Sequence, residues 1–385
     1  MSPKRTVAPA AALDWARVRA FRTARHSLVE RRPAADALAV VGEIAGLHAQ
    51  VMSSAELTLW ARVDGLPPDA VSSALWTDRT LVKTWAVRGT LHLLPASEYP
   101  TWQAALSTRR GYKKDFWLRG FGVTREEFAA LTAAVAEALD GGNLLTREQL
   151  AAEAARITGS EKIGEKVRDS FGALLKPAAS RGLICFGPGE GQLVRFTRPD
   201  RWLPPYDPVD PALALAEVTR RFLAASGPVT RDDLARWWGG QPAEGGRMLR
   251  ALGDEVAAVD VEGVDAWMLA ADLPAIRAAN AASRTPVVRL LPAFDQYVVT
   301  ATRQVEHLTS GIHADRIYRP QGWLSPVLLV DGRMDGVWRH EVRGSSVSVR
   351  IEPFEPVRAA VRKAAAAEAE RLADHLGGAL DITWA

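Results

Sequence analysis

Thr146-Arg147-Glu148-Gln149-Leu150-Ala151 and Thr230-Arg231-Asp232-Asp233-Leu234-Ala235 are the stretches on which the reading of the fold turns, and Thr124-Arg125-Glu126-Glu127-Phe128-Ala129 is a third copy of the phrase. Each predicts a helix start. The threonine hydroxyl accepts from an orphan N–H of the first turn, and Glu127, Gln149 or Asp233 reaches back to the cap. Acids in the first turn also complement the helix dipole. The second and third boxes have matching surroundings. A helical stretch precedes each, from Thr124 to about Asp140 and from Pro211 to about Ala225. Another follows, from about Glu161 to Ser180 and from about Ala243 to Leu252. Then come β-rich runs around a glycine turn. The first is Leu183 to Phe186, Gly187 to Gly191, and Leu193 to Phe196. The second is Val256 to Val261, Glu262-Gly263, and Ala266 to Leu269. Three helices and a hairpin are the order of a winged helix, repeated here at a period of about 80 residues.

The N-terminal part reads the same way, less regularly. Leu13 to Val29 is a basic amphipathic helix carrying Arg17, Arg19, Arg22 and Arg25. Ala34 to Gln50, Ser54 to Val63, and a helix opened by Pro67-Pro68-Asp69 and running to Trp76 follow. The run Val82 to Leu94 is β-rich, with Val87, Leu91 and Leu93 on one face and Arg88, Thr90 and His92 on the other. After about Thr285 the character changes. Val287 to Leu291, Val327 to Val330, Gly336 to Val342 and Val347 to Glu352 read as strands, and Asp331-Gly332 as a hairpin turn. This is a small antiparallel sheet or barrel. An alanine-rich helix from Pro356 to about Leu376 ends at Gly377-Gly378, and Leu380 to Trp384 is a last strand. The expected fold is α+β, with three tandem winged-helix units and a C-terminal β domain, divided as 11–120, 121–205, 206–280 and 281–385.

Forty-eight lysines and arginines stand against 45 acids, so the net charge of +3 is a weak argument for a polyanionic partner. Local clustering says more: Arg109-Arg110-Gly111-Tyr112-Lys113-Lys114 is basic and carries an aromatic ring. The single cysteine, Cys185, excludes a disulfide framework and any multi-cysteine metal site. No HExxH, CxxC, GxxxxGK[ST] or GxSxG motif is present, and His307 and His313 have no thiol or acidic partner in a metal pattern. No metal and no cofactor are expected. The N-terminus leads to no apolar signal core, and no run approaches the roughly 20 apolar residues of a membrane span, so a cytoplasmic monomer away from membranes is expected. Trp60, Trp76 and Trp85 read as core.

The most unusual local stretch is Gly46-Leu47-His48-Ala49-Gln50. In extended backbone residues i and i+2 share a side, so His48 and Gln50 face one way and Ala49 the other. By pattern alone it is a helix C-terminus with two capping polar groups. This stretch, the following Ser54-Ala55-Glu56-Leu57-Thr58-Leu59-Trp60-Ala61-Arg62, the segment from Thr80 to Leu94, and Arg289-Leu290-Leu291-Pro292-Ala293-Phe294-Asp295-Gln296-Tyr297 together resemble the bacterial AlkZ-type winged-helix DNA glycosylases, in the same order along nearly the whole chain. That family's fold is three winged helices and a β-barrel, which narrows the C-terminal part to a small antiparallel β-barrel.

The resemblance implies a monofunctional glycosylase that hydrolyses the N-glycosidic bond of alkylated purines, N7-alkylguanine and N3-alkyladenine, in double-stranded DNA. It extends to self-resistance enzymes, and so to bulky antibiotic adducts. The family's catalytic motif is glutamine, aliphatic, then glutamine or aspartate. Gln50 matches the second position, and His48 replaces the first. An imidazole with a pKa of about 6.5 suits proton acceptance from water or charge stabilisation. No lysine lies in the motif, so no Schiff base is expected. Arg88, Thr90, His92, Arg109, Arg110, Lys113 and Lys114 are the expected DNA contacts. A second reading stays open: a non-catalytic winged-helix protein, regulator or lesion binder, favoured by the histidine substitution.

Overall fold

All three threonine boxes close in the computed structural model, which describes residues 9–109, 115–170, 172–191, 193–279, 285–301, 305–309 and 311–385. Thr124, Thr146 and Thr230 each accept from the backbone N–H three residues on. The side chains of Glu127, Gln149 and Asp233 each accept from the cap's own N–H. Each N–H so paired would otherwise be an orphan donor of the first turn.

The chain divides into two compact units, Val71–Val218 and a unit made of Met1–Ala70 with Thr219–Ala385. The cut at Ala70 crosses the segment 11–120.

In Val71–Val218 the helices Arg125–Ala138, Arg147–Thr158 and Glu161–Asp169 precede the strands Cys185–Glu190 and Leu193–Thr197. Leu145, directly before the Thr146 box, pairs with Phe196 of the second strand. Gly164 lies where a Cβ would come within 2.9 Å of the Ala151 carbonyl and the Ala155 methyl. Leu131, Val135, Leu150, Ala151, Val167, Leu174 and Phe196 fill the core beneath.

The second box repeats this plan in the other unit. Helices Arg231–Trp238 and Pro242–Ala251 lead to the strands Val256–Val261 and Val264–Leu269. Val229, directly before the Thr230 box, bridges Trp267 through two backbone hydrogen bonds. Gly245 approaches so closely that a Cβ would sit 2.2 Å from the Arg231 carbonyl and 3.1 Å from Ala235. Ala151 and Ala235 hold the same place after their threonines, but the glycine sits one turn further along in the first repeat, on the Ala151 carbonyl and the Ala155 methyl, than in the second, on the Arg231 carbonyl and Ala235. Ala129 of the third copy is exposed, so that phrase is a helix cap alone.

Three expectations need correction. The glycines Gly187 and Gly189 lie in the strand Cys185–Glu190, which shifts register there, and the turn is confined to its end near Gly191. The run Val82 to Leu94 is a hairpin, Leu81–Trp85 against Leu91–Pro95, with Thr84 opposite His92. Arg88, at φ +56°, turns the chain between them, so Arg88, Thr90 and His92 do not share one strand face.

The C-terminal part is an open sheet, not a closed barrel. Its strands run in the order Val288–Leu291, Val327–Val330, Arg333–Arg343, Ser346–Pro353 and Ala379–Trp384, the first four antiparallel. The last strand follows the helix Ala359–His375, and such a crossover returns it parallel to Ser346–Pro353. It therefore extends the far edge, while the helix packs against both the first and the last strand. Asp331 (φ +49°) and Gly332 (φ +78°) make the expected turn in this sheet.

Candidate active site

The helix Ala37–Glu43 stops three residues before the motif. Ala45 (φ +61°) and Gly46 (φ +90°) both take left-handed backbone, and the Gly46 N–H returns to the Val41 carbonyl. The chain leaves this turn extended through Leu47–His48, so neither His48 nor Gln50 lies in the helix C-cap the pattern suggested. Burial along it does not follow simple alternation. Ala49 is fully buried, Gln50 is exposed two residues before the helix Met52–Trp60, and His48 is buried at 6% exposure.

A distant segment holds this one in place. Gln296, itself buried, donates through its side-chain amide to the Gly46 carbonyl. The Phe294 ring lies parallel to the His48 imidazole, with centroids 5.0 Å apart and planes 16° apart. Phe294 sits at φ +58°, a conformation that a bulky residue adopts only when its surroundings enforce it. Its neighbour Asp295 is firmly anchored. Both its oxygens accept from Arg62 at 2.7 Å, each partner is completely buried, and Oδ1 also caps the helix Gln296–Thr300 at the Tyr297 N–H. Arg62 in turn donates to the Thr58 carbonyl at the end of the helix that follows the motif. A buried bidentate pair of this kind resists removal of either member far more than its net contribution suggests. From the C-terminal helix, Arg371 donates to the Trp60 carbonyl and Glu368 accepts from Arg31.

Arg62, Phe294, Asp295 and Gln296 all fall within the family-like stretches, yet their roles depend on an approach across more than 230 residues. Beside Arg62 lies His26, whose Nδ1 is 3.4 Å from the guanidinium. Burial first, then the charges of Arg62 and Arg22, hold its pKa well below 6.5.

The remaining expected site residues belong to Val71–Val218. Arg88 is desolvated and lies near Arg109, which together lower its pKa to about 10, so it stays charged at neutral pH. Arg109 Nη1 reaches the Ala86 carbonyl at 3.4 Å. Burial and then Arg109 also lower the pKa of Lys176. Arg109 thus lies close enough to both Arg88 and Lys176 to act on their charges, and Lys176 is a cation that the sequence did not single out. Thr90 is half-buried and its hydroxyl donates to the Val87 carbonyl. His92 is buried at 1% exposure, its Nδ1 3.1 Å from the Thr90 carbonyl oxygen. Arg110, Lys113 and Lys114 lie outside the described residues.

Among the described residues no group of three or more His, Cys, Asp or Glu side chains converges as metal ligands, and no helix is long and apolar enough to cross a membrane. His307 stacks on Trp15 and His313 on Phe354. Cys185 is buried and its thiol pKa is pushed up, which removes it as a nucleophile.

Comparison with known proteins identifies the family. Residues 41–375 match the model of the family "DNA glycosylase AlkZ-like". The chain is 34% identical over 337 residues to the interstrand DNA cross-link repair glycosylase of Streptomyces sahachiroi, covering 84% of this chain and 87% of that protein. The solved structure of the Streptomyces sahachiroi DNA glycosylase AlkZ superimposes with a TM-score of 0.84 at 31% identity, covering 97% of this chain and all of that one. The match spans both stretches that the Arg62–Asp295 pair ties together, and the chain belongs to the AlkZ-like DNA glycosylases, enzymes that act on N-glycosyl bonds in DNA.

Proposed function

We propose that the chain is a monofunctional glycosylase for alkylated purines in double-stranded DNA, with His48 and Gln50 as its catalytic residues. The observation that carries this reading is the arrangement of the motif: Ala49 in the core, Gln50 exposed, and the buried His48 ring stacked against Phe294. An N7-alkylguanine or N3-alkyladenine is already a cation. Its C1′–N bond breaks with the electron pair passing to the base, which leaves neutral without prior protonation. Water adds its oxygen to C1′ and releases one proton. Gln50 holds that water or the flanking phosphate by hydrogen bonds, and His48 orients the water and receives the proton. The Streptomyces sahachiroi relative is an interstrand DNA cross-link repair glycosylase, and by this reading bulky and cross-linked N7 adducts are substrates here too.

Arg88, Arg109 and Lys176, with Arg110, Lys113 and Lys114, are proposed to take phosphates, and Thr90 to lie alongside them. His92, buried in its hairpin, braces that hairpin. The two repeated sets of three helices and a hairpin, with the N-terminal segment as a third, are read as winged helices that scaffold the duplex, acting as a cytoplasmic monomer. The test is base release from duplex DNA carrying N7-methylguanine and, separately, a bulky N7-guanine adduct, with alkali to reveal abasic sites. Release by the wild type and a loss of about 10²–10⁴-fold in His48→Ala/Gln50→Ala is expected. Unchanged release by the double variant would remove these two residues from the mechanism. Absence of wild-type release with intact DNA binding would mark a lesion binder.

A further inference from the structure

We infer that Trp323 is a specificity-determining surface, on which the planar aromatic body of an N7-guanine adduct stacks; this rests on the lesion chemistry proposed above. All thirteen tryptophans are described, and Trp323 is the only exposed one among them, at 50%. Trp60, Trp85, Trp102, Trp237, Trp238 and Trp338 are buried. Leaving so large an apolar ring in water forgoes stabilisation that burial would supply.

Its position is not that of a random surface residue. Trp323 meets Phe294 edge-on, with centroids 5.0 Å apart at 77°, and Phe294 is the ring stacked on His48. One side chain therefore separates the exposed indole from the first residue of the catalytic motif. The loop that presents it is tied down at its base. Tyr318 bridges Leu324, the Arg319 N–H donates to the Trp323 carbonyl at 2.8 Å, and the Ser325 N–H donates to the Ile317 carbonyl. Gln321 (φ +60°) and Gly322 (φ +77°) close the turn just before it. The indole is thus held ready, with little ordering left to lose on binding.

The exposed indole is an uncharged aromatic surface set edge-on to Phe294. Such a surface favours a flat π-system over a sugar or phosphate, and stacking is tolerant of the ring's substituents. An adduct on N7 projects into the major groove, away from the pairing edge. A long adduct engaged at His48 and Gln50 then reaches Trp323, whereas a methyl group does not.

The experiment compares wild type, Trp323→Ala and Trp323→Phe on duplexes carrying N7-methylguanine or an N7-guanine adduct bearing a planar three-ring arene. Both kcat/KM for release and Kd are measured. Trp323→Ala is expected to lose about tenfold on the arene adduct in both measures and less than twofold on the methyl lesion, with most of the loss restored by phenylalanine. Equal losses on the two lesions, or on undamaged duplex, would overturn the inference by making Trp323 a general DNA contact. Undiminished binding and release of the arene adduct by Trp323→Ala would also overturn it. If wild type releases neither base yet Trp323→Ala selectively weakens arene-adduct binding, the stacking surface stands and the catalytic reading falls.

Discussion

The motif region and the repeated helical region of this protein are built by opposite means. Helices Arg147–Thr158 and Arg231–Trp238 start on contacts spanning three residues, and the glycines of their partner helices seat on a nearby carbonyl and an alanine methyl, Ala155 or Ala235. The motif Leu47–His48 is positioned by Gln296, 250 residues from the Gly46 carbonyl it binds, and by an ion pair between residues 233 apart. Local devices stabilise in small, independent increments. A buried long-range pair concentrates its effect, because an unpaired charge left in the core has nowhere to find water.

The hardest test of that contrast is Asp295→Ala. It strands Arg62 and uncaps Gln296–Thr300, and a loss of about 3–5 kcal/mol is expected in denaturant unfolding. Arg62→Met/Asp295→Leu removes both charges together and should cost much less. Comparable losses in the single and double variants would mean that the pair is an ordinary packing contact.

His26 sharpens the same point through pH. Its folded pKa is depressed, so the unfolded chain binds the proton more readily. Its contribution to stability is therefore present above 6.5 and is lost as pH falls below 6.5 toward the folded value. His26→Asn should flatten stability against pH just below 6.5, and an unaltered curve would remove His26 as the source.

On the local side the effects should be smaller. Thr146→Ala deletes one capping hydrogen bond and is expected to cost about 1 kcal/mol, with Thr124→Ala and Thr230→Ala similar. A loss near that of Asp295→Ala would break the distinction between the regions. Smallest at fixed salt is Arg109→Ala. Its DNA affinity should fall modestly for all sequences, and the slope of log K against log salt should drop by about 1 if Arg109 neutralises one phosphate.

Gln50 and Ala49 were legible because alternation along an extended segment needs only neighbours to be interpreted. His48 was legible as a motif position, but not its burial, since the ring that covers it arrives from residue 294. Trp323 carried no signal at all. Thirteen tryptophans look alike in a chain, and only packing decides which one is left in water. The run from Val82 to Leu94 was misread for a related reason. Arg88 in left-handed backbone is a turn residue that propensity does not favour, so alternation was carried across it.

What the sequence determined by itself was the local grammar: the three capped helices, the repeat of three helices and a hairpin, the Glu262-Gly263 and Asp331-Gly332 turns, and the stretches that place the chain in its family. These follow from hydrogen bonds and backbone preferences within a few residues. Only the tertiary structure decided that the C-terminal strands stay an open sheet, that Arg62 and Asp295 meet, that Phe294 is forced against His48, and that Trp323 remains exposed beside them. Those outcomes depend on which distant surfaces exclude water together, and burial is a property of the assembled chain that no short window contains.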